Sequence, residues 1–186
     1  MLIMKQRIIA TANSVVTRFE APPVKRRPEL VVGKYYRKGK PLSASINATL
    51  RKLDPEGKHF AFYVFTSTKR VADAPTTQQI QRALKGEVGP RMTLSPHYNK
   101  LRSPTALTRQ QYRHLAKSLR LLNDNDIIHG DLVDNVMLDA KTNLPVIIDF
   151  DEARVNSDKV LKAFQLGVLG REFKVAPKRQ LKFVDS

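Results

Sequence analysis

Apolar positions along the chain change spacing several times, and each change marks an element. Two β-branched runs, Arg7–Thr11 and Ser14–Phe19, alternate as strands do and predict a hairpin turning at Ala12-Asn13. APPVKRRPE, residues 21–29, reads as a Pro- and Arg-rich loop, and Leu30–Tyr36 as a third strand. Leu42, Ile46, Leu50 and Leu53 fall on one face of a helix of about three turns, which Asp54-Pro55-Glu56-Gly57 stops. His59–Thr66 gives the strongest strand pattern in the chain. Residues 67–89 are polar, with a short helix expected at Thr77–Lys85. A strand is expected at Arg91–Leu94, followed by the irregular SPHYNKLRSP. Thr108 and Gln111 form a capping-box pattern ahead of a helix whose buried stripe would be Tyr112, Leu115, Leu119 and Leu122. After it come IIHGDLVDNVMLD, a turn at Lys141–Pro145, and VIIDFDEA; the remainder reads as a polar, basic tail.

With 186 residues, 41% of them hydrophobic, the chain can build one domain or two small lobes. Charge adds to this picture: 33 Lys and Arg against 17 Asp and Glu leave a net +16, a surface that attracts polyanions. The first forty residues hold ten Lys or Arg and two Glu, so 10 − 2 = +8, half of the excess. The cations are otherwise spread out, with no aromatic-rich RNA motif, so no dedicated nucleic-acid or membrane partner is expected. Arg26-Arg27 and Lys178-Arg179 read as a solvated loop and tail. The absence of cysteine excludes disulfides, a thiol nucleophile and Cys-based zinc sites. His59, His97 and His114 lack metal-ligand spacing. Lys5 and Arg7 interrupt the apolar N-terminus, and no apolar run approaches the roughly 20 residues of a membrane span. A soluble protein without a Sec signal is expected; export by a specialised system would leave no such mark.

Chemistry concentrates in Ile127–Ala153. His129-Gly130-Asp131 follows a helix and two apolar residues. Asn135 comes four residues after Asp131, ahead of the apolar Val136–Leu138, and a second strand, Val146–Ile148, ends in Asp149-Phe150-Asp151. This layout would fix several carboxylates and an amide at the mouth of one hairpin, as phosphoryl transfer requires. A metal must neutralise the triphosphate and a carboxylate must orient the attacking hydroxyl. Asp131 would be that base, Asn135 and Asp149 would hold magnesium through oxygen, and the His129 ring would support the loop. A hairpin bearing ordinary surface acids is the alternative, and it leaves the clustering between apolar strands unexplained.

These residues resemble the protein-kinase superfamily: HGDLVDNVMLD looks like its catalytic loop and IIDFD like its metal-binding segment. The resemblance implies an α+β, minimal bilobal kinase-like fold. Residues 1–97 would form an N-terminal antiparallel sheet with one helix, and residues 98–186 a truncated helical C-lobe. It makes Lys34, in Val31-Val32-Gly33-Lys34, the lysine that grips the nucleotide phosphates. The preceding hairpin becomes the phosphate-covering loop, with Ala10, Ala12 and Ser14 where glycines are usual, and the helix over 42–53 the regulatory helix. Tyr98 and Asn99 would border adenine. A rival alignment takes Ala61-Phe62-Tyr63 as the lysine strand, with tyrosine at the lysine position.

The chain departs from the family's pattern in several places. The interval from Asp131 to Asn135 is one residue short, which makes Asp134 an alternative second metal ligand. The regulatory helix offers Ser43, Ser45, Asn47 and Thr49 on its polar face and no glutamate, and Glu56 lies beyond its end. Gly130 replaces an arginine, Val133 stands where a lysine is common, and only 35 residues follow Asp151. The implied function is transfer of phosphate from ATP, with Mg2+ or Mn2+, by a monomeric, minimal Ser/Thr-type protein kinase without activation-loop control. Small effector kinases of bacterial pathogens, such as the HopBF family, are similar in length and truncation. That likeness implies a host cytosolic protein as substrate, a heat-shock chaperone for HopBF relatives, and specialised secretion into the host. Kinases of large DNA viruses resemble the phrase LRKLDPEGKHF. The alternatives are a catalytically weak pseudokinase acting as a binding module, and a small-molecule phosphotransferase of the aminoglycoside or choline kind.

Overall fold

A computed structural model describes residues 9–10, 14–21, 29–37, 44–61, 64–67, 88–96, 98–101 and 104–175. The chain is α+β and divides into two compact units, Met1–Leu42 with Phe62–His97, and Ser43–Ala61 with Tyr98–Ser186.

The first unit is built on β-branched and aromatic segments that suit a pleated surface. Its strands are β1 (Ile9–Ala10), β2 (Ser14–Ala21), β3 (Glu29–Arg37), β4 (Val64–Ser67) and β5 (Val88–Pro96). They form one antiparallel sheet in the order β1-β2-β3-β5-β4. The expected first hairpin is present: Ile9 faces Val16 and Ala10 faces Val15. β3 is central, and its register places Lys34 between Val16 on β2 and Thr93 on β5. Side chains alternate across it, so Tyr35 is buried while Lys34 is only half-buried. A bulge between Tyr35 and Arg37 shifts the β3–β5 register just past Lys34.

The second unit contains α1 (Ala44–Leu53), β6 (Asn99–Lys100), α2 (Arg109–Asp124), β7 (Ile127–Ile128), β8 (Val136–Leu138) and β9 (Pro145–Ile147). A 3-10 turn over Phe150–Glu152, β10 (Arg154–Val155) and α3 (Lys159–Glu172) complete it. By its contacts, the helix after β3 therefore groups with this second unit. The strands β6-β8-β9 form one antiparallel sheet and β10-β7 another. The Thr108 hydroxyl accepts from the Gln111 N–H at 3.1 Å, and the Gln111 side chain accepts from the Thr108 N–H at 2.9 Å, so the capping box is complete. Leu115, Leu119 and Leu122 are fully buried, as the spacing predicts. Tyr112 is only half-buried; Gln111 and Ser118 take the adjoining inward positions.

Three sequence expectations are corrected. The strand expected at His59–Thr66 does not run through 59–61; the described strand there is Val64–Ser67. The buried Asp54 carboxylate takes the N–H groups of Lys58, His59 and Phe60, at 3.0, 2.6 and 2.9 Å, and bends the chain there. Phe60 instead forms a single parallel bridge with Ile147. Asn47, expected on the polar face of α1, is buried, because it is an i, i+3 neighbour of the buried Leu50. The end of the chain is not simply a polar tail. Asp158 caps α3 by accepting from the Val160 N–H, and α3 packs on α2 and β7 through Gln165 and Leu169. The helix expected at Thr77–Lys85, the 12–13 turn, Tyr63, Arg26-Arg27, His97 and Lys178-Arg179 lie outside the described residues.

Candidate functional site

The loop between β7 and β8 begins on a fully buried histidine. The His129 ring donates from Nε2 to the Ile148 carbonyl at 2.8 Å, and its Nδ1 accepts from the Asp131 N–H at 3.3 Å. Those two bonds fix a neutral ring with its proton on Nε2. Burial pushes the His129 pKa below its ordinary value; it outweighs the Ile148 carbonyl and the carboxylates of Asp149 and Asp131, which favour the charged form. Phe150 closes over the ring, with centroids 4.7 Å apart, and meets Phe60 edge-on at 5.9 Å.

Asn135 completes the loop. Its Nδ2 donates to the Asp131 carbonyl at 2.8 Å and to Asp131 Oδ2 at 3.1 Å, and its backbone N–H donates to the Leu132 carbonyl at 3.1 Å. Leu132, buried, anchors the loop from beneath, while Asp131 and Asp134 are exposed. The Ile148 N–H donates to the Asn135 carbonyl at 2.9 Å. Both backbone groups of Ile148 are thus held by the first motif, and the next residue is Asp149. Asp131, Asn135 and Asp149 lie at one end of the β8–β9 hairpin.

Asp149 adopts a left-handed conformation, φ 58° and ψ 67°, and its side chain does not cap the 3-10 turn that it precedes. Non-glycine residues in this region store strain of about 1–3 kcal/mol, which persists where the surroundings fix it and gathers at functional sites. Gly130 has φ 86°, and a Cβ there would lie 2.7 Å from the Glu152 carbonyl oxygen. The loop approaches the 3-10 turn too closely for a side chain, so packing requires glycine at position 130.

The donor types at this loop are ones that magnesium takes. With its amide nitrogen turned to Asp131, Asn135 offers Oδ1, and Asp149 offers a carboxylate; both are hard oxygen donors. Among the described residues no three His, Asp or Glu side chains gather into a metal-holding cluster. Two protein ligands suit an ion that keeps waters and binds substrate phosphates.

The residues expected at the nucleotide phosphates lie in the first unit or outside the described residues. Lys34 sits on β3, Ala10 on β1 opposite Val15, and Ser14 opens β2 opposite Tyr36; Ala12 is not described. In the second unit, Asn99 pairs with Leu138, and burial pushes the Tyr98 hydroxyl up to about 12. His59 and His114 stack at 4.4 Å, and His59 Nδ1 bonds the Ser118 hydroxyl at 2.8 Å, so both are structural.

Sequence reading missed the support beneath the loop. Gln165 of α3, buried, accepts from the His129 N–H at 2.7 Å and donates to the Ile127 carbonyl at 3.0 Å and to Asn123 Oδ1 at 2.7 Å. Asn123 in turn donates to the Lys162 carbonyl at 2.9 Å. Every polar atom of these two amide side chains that the bonds use points inward, tying α2, α3 and the loop together. The signal was available: Leu161, Gln165 and Leu169 repeat every four residues behind an Asp cap. No family model matches the chain, and no curated protein matches it.

Proposed function

We propose that this protein transfers the γ-phosphate of ATP to a hydroxyl of a protein. The observation that carries the reading is the double hold on Ile148, by the His129 ring and the Asn135 carbonyl. It supports the reading because it holds Asp149 in sequence beside the Asp131–Asn135 pair. Asp131, exposed and oriented by Asn135, aligns the acceptor hydroxyl and takes its proton. Asn135 Oδ1 and the Asp149 carboxylate would hold magnesium, which neutralises charge on the phosphates. Lys34 would bind the nucleotide phosphates. His129, kept neutral by burial, positions the loop and takes no proton in the reaction. The likeness to small effector kinases supports a host cytosolic protein, such as a chaperone, as the acceptor.

A binding-module reading is favoured by one feature, the lack of glycine at Ala10, Ala12 and Ser14, where backbone must approach phosphate closely. Incubation of the purified chain with γ-labelled ATP, Mg2+ or Mn2+, and a eukaryotic cell extract separates the two. Magnesium-dependent labelling of the protein or of an extract component supports transfer. Nucleotide binding without any labelling supports the binding module.

A further inference from the structure

α3 carries apolar side chains on both its inward and its outward side. Its inward side carries Gln165, whose polar atoms are spent on the loop, together with Leu169. Its outward side carries Val160, 74% exposed, and Phe164, 61% exposed, one turn apart. Ala163, Gly167 and Gly170 share that side. A Cβ on Gly170 would meet nothing within 4 Å, and one on Gly167 only the Arg171 guanidinium at 4.0 Å. The glycines therefore leave a shallow trough beside the projecting Phe164 ring. Arg171 lies over that ring, 4.6 Å from its centroid, and brings a positive charge to the edge of the apolar strip. Leu166 is exposed on the flank of the same helix.

We propose that this face of α3 docks an acidic amphipathic helix of a partner protein. Apolar side chains on a solvent-facing helix side need a cover. Charge complementarity names its kind. Lys162 is paired with Asp126, so the unpaired balance over residues 159–174 is Lys159, Arg171 and Lys174 against Glu172, 3 − 1 = +2, on a chain of net +16. Two copies of such a chain repel each other, which disfavours self-association through this face. The glycine trough admits a helix backbone at close range, with the Phe164 ring as anchor and Arg171 pairing with a carboxylate at the rim. A lipid surface gains nothing from a trough and would favour bulky residues in place of the two glycines. The inference stands on the surface of α3 and not on the phosphoryl-transfer reading.

The test uses the full chain and a fluorescein-labelled helical peptide with Leu and Phe at i, i+3, i+4 and i+7 and Glu elsewhere, followed by anisotropy. Saturable binding is expected, weakened at least about tenfold by Phe164→Ser, by Arg171→Glu and by filling the trough with Gly167→Leu. Binding should also weaken as salt rises from 50 to 300 mM, over a screening length of about 8–10 Å at physiological ionic strength. The same peptide with Lys in place of Glu should bind at least about tenfold less tightly. Phe164 and Arg171 are exposed, and a Cβ at Gly167 meets nothing nearer than Arg171 at 4.0 Å, so the variants should keep the wild-type circular dichroism spectrum and urea midpoint. Absence of saturable binding overturns the proposal, as does binding indifferent to these substitutions. Phe164-dependent sedimentation with anionic vesicles, or a dimer abolished by Phe164→Ser, would assign the face to a membrane or to a second copy and overturn it equally.

Discussion

Replacing Gln165 by leucine keeps the volume and removes every hydrogen bond that the side chain makes. In the wild type its oxygen accepts from the His129 N–H, and its nitrogen donates to Asn123 Oδ1 and the Ile127 carbonyl. Gln165, Asn123, Ile127 and His129 are all buried, so water cannot take over. An orphaned buried polar group costs about 1–3 kcal/mol, and at least two are created, the His129 N–H and Asn123 Oδ1. The expected loss is therefore about 2–6 kcal/mol, a large share of the roughly 5–15 kcal/mol that holds a domain folded. Urea unfolding followed by circular dichroism gives the stability, and amide hydrogen exchange at His129 locates the damage. Gln165→Glu retains the acceptor, loses the donors when ionised and regains one when protonated, so its penalty should shrink as pH falls. The exposed Ala163→Ser should change stability by less than about 0.5 kcal/mol. A Gln165→Leu variant within about 1 kcal/mol of wild type, with His129 exchange unchanged, would refute the assignment of Gln165 as the support of the loop.

Gly130→Ala combines φ 86° with a Cβ 2.7 Å from the Glu152 carbonyl, so it should destabilise the second unit by about 2 kcal/mol or more, read from the same urea curves. Stability should fall as pH drops below about 6.5, because burial lowers the folded-state pKa of His59 and of His129. The unfolded chain takes up those protons first, so each histidine removes up to about 1.4 kcal/mol per pH unit between its unfolded and folded values; a urea midpoint flat from pH 7.5 to 5.5 would contradict this. Lys34→Met should sharply lower phosphoryl transfer, while Lys38→Met should not; equal effects would end the case for Lys34 as the phosphate-binding lysine.

The legible parts of the fold are those whose local pattern and packing agree. The hairpin β1–β2, the strand β3 and the capped helix α2 follow from spacing and cap chemistry alone. The Asp131–Asn135 and Asp149 segments stand out in the sequence because their polar groups cluster between apolar runs. Long-range polar bonding was not legible. His59–Ala61 looks like a strand until Asp54 gathers its amides, and a carboxylate's choice of backbone partners leaves no periodic trace. Asn47 and Gln165 read as surface residues by type, yet both are buried. Gly130 looked like a lost arginine, and only the closeness of Glu152 gives it a physical reason.

The central claim is that the loop cluster of Asp131, Asn135 and Asp149 carries out phosphoryl transfer. Initial rates of label transfer from γ-labelled ATP, with saturating Mg2+, test it when wild type, Asp149→Ala and the exposed control Asp124→Ala are compared at equal folded concentration. The account predicts that Asp124→Ala matches wild type and that Asp149→Ala falls at least about a hundredfold, since metal and positioning supply most of the catalysis. A folded Asp149→Ala protein that transfers phosphate at the wild-type rate would contradict it.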